Sequence, residues 1–63
     1  MEKLNVAIAD DNVRIVEMLD NMLSKDAAIE VVGKAHNGED VLDIIKKKEN
    51  QYLDVGFIIQ AGL

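Results

Sequence analysis

The sequence predicts an α/β fold in which strands and helices alternate as β-α-β-α-β around a parallel sheet. Three observations lead there. Apolar runs of strand length occur three times along the 63 residues. Helical periodicity fills the two intervals between them, and turn or cap residues mark the junctions. Strands joined through helices of this length connect by right-handed crossovers, which makes the sheet parallel.

The first strand is carried by Leu4, Val6 and Ile8, which alternate with Asn5, Ala7 and Ala9. Its alternating partners are mostly small and apolar, so both faces are expected to be buried, as in a central parallel strand. The run stops at Asp10-Asp11-Asn12, where Asp11 or Asn12 can cap a helix. Val13, Ile15, Val16, Leu19, Met22 and Leu23 then follow helical spacing to about Lys25. Ile29, Val31, Val32 and Ala35 form a second, β-branched run and a second strand. Asn37-Gly38 signals a turn, and Glu39 to Lys48 read as a helix with Val41, Leu42 and Ile45 on one stripe. Lys46, Lys47 and Lys48 suit its carboxyl end. The third strand is expected within Tyr52 to Ile59, weakened by Gly56.

Composition limits what such a domain can do. A chain this small buries only about 60% of its unfolded surface, so a metal, a disulfide or a partner usually supports it. Cysteine is absent, which closes the disulfide route. With 12 acidic against 7 basic side chains the net charge is −5, and such a surface repels nucleic-acid backbones. Met1-Glu2-Lys3-Leu4 has no signal-peptide pattern, and no apolar run approaches the ~20 residues that cross a bilayer. A cytoplasmic protein with no membrane or nucleic-acid partner is expected.

The chemistry concentrates in Val6-Ala7-Ile8-Ala9-Asp10-Asp11-Asn12. Adjacent carboxylates at the carboxyl end of a buried strand stand at the rim where α/β sheets bind ligands. Their mutual repulsion is relieved by a divalent cation, and Mg²⁺ is held by one or two carboxylates with waters completing its shell. The alternative is that Asp10 and Asp11 only end a strand and cap a helix. His36, beside a turn, reads as an ordinary loop residue, and Met18 and Met22 as core.

Four blocks resemble receiver domains of two-component and phosphorelay response regulators. They are Met1-Glu2-Lys3, Ala9-Asp10-Asp11-Asn12, Glu30-Val31-Val32-Gly33-Lys34-Ala35 and Asn37-Gly38-Glu39-Asp40, in order and at matching spacing. Within the family the likeness is greatest to sporulation-type regulators, and it runs from Met1 to about Lys48. The resemblance implies the amino-terminal half of a flavodoxin-like receiver over residues 1–63, with a divergent tail at about 49–63. It also implies Mg²⁺ at Asp10 and Asp11, and phosphoryl transfer from a histidine kinase or phosphotransferase to an aspartate.

After Lys48 the sequence departs from the family. Counted without gaps, the acceptor position falls on Gly56, which cannot take a phosphoryl group; a two-residue deletion puts Asp54 there and aligns Gly62-Leu63, the alternative being that Asp54 is a structural aspartate in an altered strand. The family's Met-Pro is missing, and the chain contains no proline. The hydroxyl residue and the lysine that contact the phosphoryl group in the family belong to later strands. Complete phosphotransfer by this chain alone is therefore not expected, nor is an independent enzyme, because no nucleophile and base stand together. A half sheet leaves an apolar edge near strand 3, and self-association as a homodimer is the expected way to complete it.

Overall fold

A computed structural model of the chain describes residues 3–60. Its elements are β1 (Leu4–Ala9), α1 (Val13–Ser24), β2 (Ile29–Ala35), α2 (Gly38–Glu49) and β3 (Phe57–Gln60). The three strands are parallel in the order β2-β1-β3, so β1 is the inner strand. This is the α/β arrangement expected of a truncated flavodoxin-like sheet.

Both faces of β1 are covered, which explains its unbroken apolar run. On one face Val6 and Ile8 pack with Val16 of α1, and Leu19, Leu23, Ile29, Val31 and Ile59 close around them. On the other, Ala7, Ala9 and Ala35 form a core with Val41, Ile44 and Val55. The small side chains there let α2 approach closely. A Cβ built on Gly33 would stand 3.4 Å from Ile44 Cδ1 and 3.6 Å from Ala7 Cβ. A register shift in the β1–β2 pairing, where Val6 pairs with Val31 but Ala7 with Gly33, adds one residue to the edge strand.

Helix boundaries follow local chemistry. The Asn12 side chain accepts from Arg14 N–H at 2.9 Å and caps α1; Asn37 does the same for α2 from Asp40 N–H at 2.8 Å. Glu39 and Asp40 occupy the first turn of α2 and Lys46, Lys47 and Lys48 its last, both favourable to the helix dipole. Lys34 on β2 reaches across to α1, 2.8 Å from Asp20 and 3.7 Å from Glu17. Hydrogen bonding to Lys34, then to Ser24, holds the Asp20 carboxyl below its usual range, and the same Asp20 contact raises Lys34.

The third strand is shorter than its composition suggested. It starts at Phe57, because the preceding residues end α2 instead of pairing. Gln51 adopts φ 62°, Gln51 N–H donates to Lys48 O at 3.1 Å and Tyr52 N–H to Lys47 O at 2.8 Å. That is the double bond pattern of a Schellman cap, with Gln51 where glycine is usual. Leu53 N–H also turns back to Lys47 O, at 3.3 Å. Tyr52 is left exposed, while Val55 inserts beneath α2. Gly56 N–H then donates to Asn5 O at 2.8 Å, and a Cβ at Gly56 would stand 3.3 Å from Leu4 Cδ1 and 3.4 Å from Asn5 O.

Candidate functional site

The inner position of β1 delivers Asp10 and Asp11 to the rim where the strands end. Asp10 continues the ladder through its N–H to Ala35 O at 3.1 Å. It is the one buried polar or charged residue among those described, 5% exposed. Its Oδ1 accepts from Asn12 N–H at 2.8 Å, a turn that fixes the carboxylate while the Asn12 side chain caps α1. Asp11 stands beside it in solvent. The rim therefore carries one oriented, buried carboxylate and one exposed carboxylate, next to the amino end of a helix.

Two carboxylates suit a hard cation that keeps most of its waters, as Mg²⁺ does. Among the described residues no group of three His, Cys, Asp or Glu side chains comes together to enclose a metal. The donor chemistry fits a partly hydrated Mg²⁺ and does not fit a fully protein-ligated ion.

Asp54 is placed elsewhere. It precedes β3, on the rim where the strands begin, and its Oδ2 accepts from Asn5 Nδ2 at 3.4 Å. Asn5 is five residues before Asp10 on β1, so roughly 16 Å of strand separates that contact from the acidic pair. A cation at Asp10 and Asp11 would give no assistance to phosphoryl transfer onto Asp54. Gly56 lies at the same distant rim. On β3 the residue paired beside the acidic end of β1 is Gln60, opposite Ala9. The expected match at Gly62-Leu63 falls outside the described residues.

Asn12 is expected from the sequence as a cap, and its backbone N–H also orients Asp10. His36 follows Ala35 at the same rim, its N–H donating to Asp40 Oδ2 at 3.4 Å, and its Nε2 is buried without a partner among the described residues. Neither bond has a sequence signature, since each depends on how the chain turns after its strand.

No protein-family model matches the chain, and no solved structure matches it. Curated proteins similar to it along its whole length include the following two. One is a protein-glutamate methylesterase/protein-glutamine glutaminase of Clostridium acetobutylicum, 35% identical over 65 residues. The other, of the same description, is from Methanococcus maripaludis and is 34% identical over 65 residues. The chain spans only 19% and 18% of the length of these relatives. No helix among the described residues is long and apolar enough to cross a membrane. The β-α-β-α-β parallel sheet, with an acidic pair ending its inner strand, and this similarity together support a response-regulator receiver-like domain.

Proposed function

We propose that the chain is the metal-binding half of a receiver, in which Asp10 and Asp11 hold Mg²⁺ for phosphoryl transfer from a phosphohistidine on a kinase or phosphotransferase. The carrying observation is the buried Asp10, oriented by Asn12 N–H beside exposed Asp11 at the carboxyl rim of the inner strand. Bound there, Mg²⁺ supplies positive charge to offset that of an incoming phosphoryl group. Asn12 keeps one Asp10 oxygen occupied, which leaves the other to face a cation. Asp54 has a structural part in this reading, tethering the entry to β3 through Asn5.

The sporulation type rests on the four sequence blocks alone; the relatives found carry a different description. Their methylesterase or glutaminase activity is not assigned to this stretch. The chain spans only 19% and 18% of those relatives, so their activity is not carried over to it.

A partner would meet the side of α1 turned away from β2. Asp20 and Glu17 face Lys34, whereas Met22 lies roughly 200° around the helix from Asp20. Met18 and Met22, expected as core from their spacing, are instead 49% and 60% exposed, with Arg14 and Lys25 exposed on the same helix and its cap. An apolar patch with a basic rim suits an apolar helix edged with carboxylates. Calorimetric titration with Mg²⁺ tests the metal reading. Binding should persist in Asp54→Asn and disappear in Asp10→Asn/Asp11→Asn; equal binding in all three proteins would defeat it.

A second reading, self-association as a homodimer without signalling activity, is favoured by the β3 edge. Phe57 is 61% exposed on this short strand, and its four residues carry no charge. By contrast, the β2 edge presents Glu30 and Lys34 and a register shift. Sedimentation of the chain against Phe57→Lys distinguishes the two. A dimer lost on substitution supports self-association, and a monomer at micromolar concentration removes it.

A further inference from the structure

We draw no further inference here: the strongest candidate, the open cleft of about 460 Å³ between the edge strand β2 and α2, lined in part by Lys34, Asp43, Lys47 and Tyr52, carries nothing, because Lys34 pairs with Asp20 and Lys47 with Asp43 and nothing in the structure shows what would occupy it.

Discussion

The two rims of the sheet use the same residue types to different ends. At the rim where the strands finish, Asp10 is buried, oriented by a backbone N–H and joined by an exposed neighbour. At the rim where they start, exposed Asp54 makes one long hydrogen bond to the Asn5 side chain. A carboxylate gains chemical character from a fixed environment and a second charge, not from its position in an alignment. On this contrast rests the proposal of cation binding at one rim and chain routing at the other.

The largest expected effect removes the strand that both rims share. Ile8 is fully buried between α1 and the sheet, so Ile8→Ala should cost about 2–5 kcal/mol, enough to unfold a domain of this size. Urea denaturation followed by circular dichroism measures the loss. Next is the pair Asp10→Asn and Asp54→Asn. Asn at position 10 can still accept from Asn12 N–H, so its stability should change little while Mg²⁺ binding falls sharply. Asp54→Asn should leave Mg²⁺ binding as it was.

Backbone changes at the starting rim sharpen the contrast from the other side. Gly56→Ala should change stability by less than about 1 kcal/mol, because the new Cβ meets only the exposed end of the Leu4 side chain, which can give way, and stands at ordinary contact distance from Asn5 O. Gln51→Gly should stabilise by up to about 1 kcal/mol, since the left-handed cap is costly for a residue with a Cβ. Thermal melts of both variants read these shifts, and neither should alter Mg²⁺ affinity.

The smallest effect concerns the exposed tie between α1 and β2. Asp20 is held low by Lys34, so its contribution is present above the ordinary carboxylate pKa and is lost as pH falls through the lowered folded value. Lys34 is raised, so its contribution is complete below 10.5 and is lost as pH rises through the higher folded value. Between those limits the tie is intact, and salt should weaken it. Titration of the Asp20 carboxyl by NMR, with and without Lys34→Met, should show its pKa return toward the usual range in the variant.

What could be read from residues alone was the local chemistry. Alternation with alanine announced a doubly covered β1, and Asp11 or Asn12 and the Asn37-Gly38 turn announced where the helices follow, because caps, turns and periodicity act within a few residues. The start of β3 was hidden. Tyr52 and Leu53 have strand-like composition, but their N–H groups are taken by the end of α2 through a left-handed Gln51, a conformation this residue seldom adopts. The same turn bears on Asp54, which stands before β3 at the starting rim beside Asn5, a position that suits the structural reading of this residue better than the acceptor one. The acidic pair was legible as a motif; the burial of Asp10 and its bond to Asn12 were not, because the first depends on what packs around the end of β1 and the second on how the chain turns after it.

The most direct test is paramagnetic broadening of backbone amide signals by Mn²⁺, used as a substitute for Mg²⁺. Amides of Asp10, Asp11, Asn12 and Gln60 should broaden at substoichiometric ion, while those of Asn5, Asp54 and Gly56 stay sharp. Broadening centred on Asp54 and Gly56, or equal at both ends of β1, would contradict the division of roles between the two rims.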